Sequence, residues 1–518
     1  MGENLNKANQ FIQDNMHKVN NTYRPKYHNS PPIGWINDIN GFVQLADLYH
    51  VYAQYYPYDT EWGPSHWGHW QSPDLINWEW VSVALAPEEE YDNKGIYSGT
   101  ALVENGAVIS LYTGVHSEQS IDVTDIQKKL TVEEIREDKD TFQEQSIAKS
   151  IDASNFIKYE NNPVISHLDL PEEFNINSFR DPKIIKYQDN FYAAIATMKK
   201  TENNEEGYVI LFESEDMINW RYIGNILENI GSMIECPDYF ILDHHKVLIS
   251  CVMDYNLEPI QMAKNNYPCL YFIDNHIDNF TEFDYSYYAS LDNGLEFYAP
   301  QSLKVIDGRR IMIGWLLAFD YHTPLHYLDH KWNGVMTLPR ELSINRGKLY
   351  QKPVSEIYDH MKLKGKHENI GEGIIEFNLS MSSYIKLRKN NINTKLTMKI
   401  LSDLDNQEYY TIDYIPAEND ELPYILTDRS KLGYHLLEKN DQGVSNDIAT
   451  NKFIYNMESL ELEIFIDQCT VEIFLNNGEF VMTSWAFSKS MENNIVVAGL
   501  DEENDFIEFY DFYERGES

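Results

Sequence analysis

The chain has 518 residues and a mass of 60.6 kDa, more than one hydrophobic core ordinarily serves, so a single small module is excluded and two large units or three ordinary ones are expected. Apolar residues make up 43% of it, and 25 glycines and 19 prolines rule out a low-complexity or collagen-like chain. Lys and Arg number 41 against 82 Asp and Glu, a formal charge of −41 that repels nucleic acid and anionic membrane, so neither is expected as a partner.

The segment Met1 to Asn6 lacks the basic start and apolar stretch of an export signal. The longest apolar run, Ile311 to Phe319 with Gly314 inside it, has half of the ~20 residues a bilayer span needs. Cys236, Cys251, Cys269 and Cys469 are widely spaced without a C-x-x-C pair, which suits reduced thiols better than a disulfide framework. A cytoplasmic setting is the expectation.

In chain order, the first signal is a repeat. Ser72 to Trp78 (SPDLINW) returns as Ser214 to Trp220 (SEDMINW), a polar turn ending on tryptophan. We expect these turns at blade edges, with Trp78 and Trp220 as core plugs. A weaker unit, two Tyr/Val/Ile-rich strands about a polar turn, begins near Asn40, Gly99, Asp181, Pro237 and Pro300. Five antiparallel hairpins at intervals of about 55 to 80 residues predict a five-bladed β-propeller; a sandwich or β-helix with irregular repeats is the alternative. The charged stretch Ser117 to Gln145, with Thr131 to Glu134 as a capping box before a short helix, reads as a surface insertion.

Near Tyr358 the pattern changes. Lys362, Lys364, Gly365 and Lys366 read as a linker, giving units at 1–357 and 358–518. Strands are predicted at 374–379, 395–401, 409–414, 460–466, 471–475, 480–485 and 506–510, and Asn477-Gly478 signals a type I′ hairpin. Short strands of this number over ~150 residues predict a C-terminal β-sandwich. The fold class is therefore all-β.

Three carboxylates stand at blade entrances: Asp38 in Trp35 to Gly41 (WINDING), Asp181 in Phe179 to Pro182 (FRDP), and Glu235 in Ile234 to Asp238 (IECPD). Singly, each is an ordinary turn former beside Pro, Asn or Gly. The first strand of each blade lines a propeller's axis, so matched entrances converge. Ile234, Cys236 and Pro237 form an apolar setting that raises the pKa of Glu235, as a general acid needs. Asn37 and Asn40 are expected to hold Asp38 ionised as a nucleophile, and Arg180 to keep Asp181 deprotonated. One protonated carboxyl and one carboxylate are what glycoside cleavage requires.

At these residues the sequence resembles a known family. Tyr27 to Gly41 (YHNSPPIGWINDING) looks like the opening signature of glycoside hydrolase family 32, the invertases, levanases, inulinases and sucrose-6-phosphate hydrolases. Tyr52 to Tyr56, Glu61 to Gly63, His66 to His69, Tyr97 to Gly99, Phe179 to Pro182, Glu235 to Pro237, Asp292 to Gln301 and Leu338 to Arg340 follow in family order. Phe465 to Phe474 (FIDQCTVEIF) resembles the marker of its C-terminal sandwich. The resemblance implies retaining hydrolysis of a β-fructofuranosyl linkage without metal or other cofactor. By position it makes Asp38 the nucleophile, Glu235 the acid/base and Asp181 the transition-state stabiliser. Asn37, Gln54, Trp62, Tyr97, Ser98, Arg180 and Trp315 match residues lining the fructose pocket. Ile39 stands where the signature has proline, a departure expected to loosen the turn after the nucleophile.

Sucrose and short fructo-oligosaccharides are the expected substrates; sucrose-6-phosphate hydrolysis and exo-acting fructan hydrolysis are the alternatives within the family. Outside it stand an inverting pentose-polymer hydrolase on a similar scaffold and a carbohydrate-binding propeller with an inactive site. His66 and His69 lack a third ligand at metal spacing and sit among Trp62, Trp67 and Trp70, so no metal is expected there. Cys236, without a base beside it, reads as a small buried side chain supporting the acid. The sequence does not fix the oligomeric state, though sandwich edges offer a route to a homodimer.

Overall fold

A computed structural model of the chain describes residues 2–117, 141–201, 205–255, 257, 267–368, 373–405, 407–418, 421–439, 450–454, 458–500 and 504–514. The proposed capping box at Thr131 lies outside these residues, as does most of the 117–145 insertion. The described ends of that insertion, Ser117 and Thr141, face each other across two antiparallel strands.

Among the described residues, consecutive strands build five blades. Blade 1 holds Gly34–Leu45, Leu48–Tyr56, His66–Ser72 and Glu79–Leu85; blade 2 holds Gly95–Glu104, Ala107–Ser117, Thr141–Ser150 and Ile157–Lys158. Blade 3 holds Phe174–Tyr187, Asn190–Lys200, Glu205–Ser214 and Arg221–Leu227; blade 4 holds Met233–Leu242, His245–Met253, Cys269–Asp274 and Tyr287–Ser290. Blade 5 holds Tyr298–Lys304, Arg310–Trp315, Arg340–Asn345 and Lys348–Pro353. The first strand of each blade touches the first strands of both neighbours, so five inner strands ring one axis. Trp332–Asn333, from an excursion of blade 5, pairs in parallel with Gly34 and Trp35 of blade 1 and helps close that ring. The inner strands Gly34–Leu45 and Met233–Leu242 are buried along most of their length because both their faces are covered.

All five inner strands carry a bulge at the same height. The pairing register slips between Ile36 and Ile39, Ile96 and Gly99, Arg180 and Lys183, Glu235 and Asp238, and Tyr298 and Gln301. Asp181, Cys236 and Ala299 hold φ of 62°, 51° and 46° there, left-handed conformations that non-glycine residues rarely take. Such a bulge bends its strand and re-aims the side chains around it. Proline follows each of the three, at positions 182, 237 and 300. Ile39 is buried and pairs with Ala53 between two register slips, Ile36 to Ile39 and Ile39 to Phe42.

The turn repeat is a hydrogen-bonded motif. Asp74 Oδ1 accepts from the N–H groups of Ile76 and Asn77, Asn77 Nδ2 donates to Asp74 Oδ2, and Trp78 Nε1 donates to the Leu75 carbonyl. Asp216, Asn219 and Trp220 repeat these bonds. A third copy stands at Asp152 and Asn155, with Phe156 in place of tryptophan. Trp78 and Trp220 are half-buried lids over the turns rather than core plugs.

Beyond the propeller, two six-stranded antiparallel sheets form the sandwich. Its strands Tyr409–Ile415, Tyr424–Lys431 and Asn493–Ala498 alternate buried and partly exposed residues, and the inward ones join Ile385, Leu387, Leu462, Ile464, Val497 and Phe509 in one core. The expected linker at 362–366 is instead part of an edge strand, Met361–Glu368, paired with Phe506–Phe512. Lysines suit such an edge because they resist pairing with another chain. Asn477-Gly478 lies in a four-residue connection, 476–479, with Asn476, Asn477 and Gly478 all at positive φ, not in a two-residue type I′ turn. An N-terminal helix, Glu3–Asn15, buries Ala8 and Ile12 against blade 1 and was not foreseen. No described helix is long and apolar enough to cross a membrane.

Candidate active site

Asp38, Asp181 and Glu235 all stand at the bulges of inner strands, which is why residues far apart in sequence meet on the axis. Cys236 is the hinge of the cluster. Its Sγ lies 3.7 Å from Asp38 Oδ2 and 3.6 Å from Asp181 Oδ2, and its N–H donates to Asp181 Oδ2 at 3.0 Å. Arg180 joins the remaining pair: Nη2 donates to Glu235 Oε1 at 2.7 Å, and Nε is 4.0 Å from Asp181 Oδ2.

Each carboxyl is held differently. Asp38 Oδ2 accepts from Ser98 Oγ at 2.7 Å and Gln54 Nε2 at 3.2 Å, and Gln54 is steadied by Ser65, whose Oγ donates to Gln54 Oε1. The second oxygen, Oδ1, is buried with no hydrogen-bond partner among the described residues. Asp181 has its own N–H on Thr113 Oγ1. Glu235 Oε2 accepts from the hydroxyl of Tyr298, a residue of the blade 5 bulge.

Burial pushes the pKa of Asp38 up to about 6, and the charge of Glu235 adds to the rise against the hydrogen bond from Ser98. Burial likewise raises Asp181, to about 7; the guanidinium of Arg180 opposes the rise, while Glu235 and Asp38 reinforce it. Three expectations are corrected here. Asn37 favours the ionised form of Asp38, as Ser98 and Cys236 do, but burial and the charge of Glu235 outweigh all three, and Asn40 turns to Ser98 instead. Arg180 spends its hydrogen bond on Glu235 rather than Asp181, and desolvation outweighs its charge. Glu235 is not in an apolar setting either, since Arg180 and Tyr298 both donate to it.

Around these acids, Trp62 meets Tyr97 edge to face at 6.0 Å, and Trp35 meets Trp315 the same way at 5.7 Å. Both rings are wholly buried. Asn37 Nδ2 and Trp315 Nε1 have no hydrogen-bond partner among the described residues. His69 pairs with His50, Nε2 to Nδ1 at 3.0 Å, inside blade 1. Tyr298, Ser65 and Thr113 escaped the sequence reading. Tyr298-Ala299-Pro300 does share the pattern of Arg180-Asp181-Pro182 and Glu235-Cys236-Pro237, a signal that was available for the first of them.

Residues 28–353 match the model of the glycosyl hydrolases family 32 N-terminal domain, and residues 348–509 that of the family 32 C terminal. The chain belongs to glycosyl hydrolase family 32. It is a glycoside hydrolase with that family's five-bladed propeller and sandwich. Among its family 32 relatives, the sucrose-6-phosphate hydrolase of Escherichia coli is 30% identical over 485 residues, covering 92% of this chain and 91% of the relative. That of Bacillus subtilis is 30% identical over 479 residues, covering 90% and 89%. A GH32 beta-fructofuranosidase of Bombyx mori, solved as a mutant in complex with sucrose, superposes with a TM-score of 0.80 at 28% identity, covering 98% of both chains. The sucrose-6-phosphate hydrolase of Lactobacillus gasseri superposes with a TM-score of 0.81 at 26% identity, covering 97% and 95%.

Proposed function

We propose that this family 32 enzyme is a retaining β-fructofuranosidase that hydrolyses sucrose and short β-fructosides, releasing fructose. The observation carrying the reading is the division of Asp38, one oxygen tethered by Ser98 and Gln54 and the other bare. A carboxylate fixed in this way presents one lone pair in a set direction, as attack on an anomeric carbon requires. The Bombyx mori beta-fructofuranosidase with sucrose supports the choice of substrate.

In this reading, Asp38 Oδ1 attacks the fructosyl anomeric carbon while Glu235 gives its proton to the departing oxygen. Glu235 then takes a proton from water, which attacks the fructosyl ester, frees fructose and restores Asp38. The Tyr298 hydroxyl can donate to the carboxylate of Glu235 and accept from its acid form, so the contact survives both steps. Asp181, fixed by the Cys236 N–H, accepts from fructose hydroxyls, and Asn37, Gln54, Ser98 and Arg180 supply further polar contacts. Trp62 and Tyr97 wall the sugar, with Trp315 acting through Trp35. The unit 1–357 carries the chemistry and 358–518 buttresses it, in a cytoplasm where all four cysteines stay as free thiols.

The test is turnover of sucrose, sucrose 6-phosphate and kestose by the purified chain and by Asp38→Ala and Glu235→Ala. Loss of hydrolysis in both variants upholds the assignment, and retention of wild-type turnover by either overturns it. The names of the bacterial relatives favour sucrose 6-phosphate as a second reading. A tenfold preference for that substrate selects it.

A further inference from the structure

Among the described residues, one cluster of side chains able to hold a metal ion lies outside the acids. The loop between the second and third strands of blade 1 carries Glu61 beside Trp62. The excursion of blade 5 carries His322 on the short strand Tyr321–His322, and His326, four residues on, in the helical turn Pro324–Tyr327. His322 Nδ1 lies 3.0 Å from Glu61 Oε1, and His326 Nε2 lies 3.9 Å from the same oxygen. One donor atom from each of the three falls within 4.8 Å of the others. The two imidazoles stack with ring centroids 4.8 Å apart and planes 17° from parallel, so they present their nitrogens side by side.

We propose that Glu61, His322 and His326 form a binding site for a divalent transition-metal ion of the zinc class. Two imidazole nitrogens and a carboxylate oxygen are a common zinc ligand set, with a water in the fourth position. Ligand atoms ~2.1 Å from a tetrahedral ion lie about 3.4 Å from one another, a value bracketed by the two distances to Glu61. His326 turns its other nitrogen, Nδ1, to Thr60 Oγ1 at 2.7 Å, the outer hydrogen bond that fixes a ligating imidazole's tautomer and ring plane. Side-chain exposures of 11%, 25% and 26% leave an ion a way in.

A competitor is built into the same place. Lys439 Nζ is 3.9 Å from Glu61 Oε1 and 5.9 Å from the Trp35 ring, carried there by the pairing of Leu437–Glu438 with Tyr321–His322. Ammonium and metal ion repel each other at this range, so an arriving ion displaces Lys439 outward. The ion then ties the Trp62 loop of blade 1 to the blade 5 excursion. It takes no part in bond cleavage, since none of its ligands is among Asp38, Asp181 and Glu235.

The test is titration of the full-length, chelator-stripped protein with Zn²⁺ against a chromogenic chelator, with thermal unfolding recorded beside it. The expected result is one equivalent bound per chain, affinity lowered tenfold or more in His326→Ala and in Glu61→Gln, and affinity raised in Lys439→Met. Zn²⁺ is also expected to raise the midpoint of the wild type and not of the His322→Ala/His326→Ala double variant. Equal stoichiometry and affinity in the wild type and the double variant overturns the proposal, and so does a Lys439→Met variant that binds no tighter. Lys439 is partly exposed, so that variant folds whatever becomes of the others.

Discussion

Arg340 Nη2 and Glu472 Oε2 meet at 2.6 Å across the seam between propeller and sandwich, both side chains wholly buried. Arg340 also donates to Asp292, Gln351 and Thr483 and lies over the ring of Phe297. Arg340→Met strands the buried carboxylate of Asp292 without its counter-charge and leaves Glu472 with His28 alone, and removing one partner of a buried pair costs about 3–5 kcal/mol. Denaturant unfolding is expected to show a loss of that size. Arg340→Lys is expected to recover little of it, because an ammonium cannot bridge both carboxylates as the planar fork does.

On the same seam, His28 sits between Asp467 and Glu472, at 3.0 and 2.8 Å. Burial pulls its pKa down, but the hydrogen bonds and charges of the two carboxylates win and hold it up to about 9. The folded value lies above the ordinary 6.5, so protonated His28 stabilises the fold fully below pH 6.5 and loses its effect as pH rises through 9. At ~1.4 kcal/mol per unit the contribution is about 3 kcal/mol. The stability gap between the wild type and His28→Gln is therefore expected to shrink between pH 6.5 and 9.5, and a gap that stays constant refutes the linkage.

Asp38 is linked to pH in the same direction as His28, over a more acid range. Its folded pKa of about 6 exceeds the ordinary 3.8, so its proton favours the folded state at low pH and that advantage disappears as pH climbs through 6. Relative to Asp38→Asn, the wild type is expected to lose about 3 kcal/mol between pH 4 and pH 7, at ~1.4 kcal/mol per unit. In the proposed mechanism the same ionisation is expected to set the acid limb of kcat/KM near pH 6. Glu235→Gln removes the neighbouring charge that helps raise Asp38, so the limb of its residual activity moves to lower pH.

Cys236→Ser replaces a weak S–H donor between two aspartates with a stronger O–H donor. Better hydrogen bonding to the ionised form lowers a carboxyl pKa. The acid limb is expected to move down by roughly half a unit, with kcat within tenfold of the wild type. An unmoved limb would show that the thiol only fills space.

Tyr298→Phe deletes the hydroxyl that holds Glu235 Oε2 and leaves the ring in its buried place. A tenfold to hundredfold fall in kcat with little change in KM is expected, within the range that positioned acid–base groups command. A rise in KM with kcat preserved would assign Tyr298 to substrate binding instead.

Much of this architecture was legible in the sequence because hairpins and turns are local. The five hairpin starts, the Asp74 and Asp216 turns and most sandwich strands follow from alternation and turn residues within short windows. Met361–Glu368 was missed because an exposed edge has no buried face to impose a period of two. The third turn, at Asp152, was hidden by Phe156 standing where the others have tryptophan. The acids were found, but their environments were misread for one reason. The bulges bring in partners from other strands, so Asp38 answers mainly to Ser98 and Gln54, and Glu235 to Arg180 and Tyr298.

The matched bulges also make the funnel a set of five interchangeable addresses. Blades 1, 3 and 4 fill theirs with acids, blade 2 with Tyr97 and Ser98, and blade 5 with Tyr298 and Ala299. New chemistry on this scaffold therefore calls for rewriting two or three letters at a bulge, while the hoop of inner strands that sets their height stays as it is.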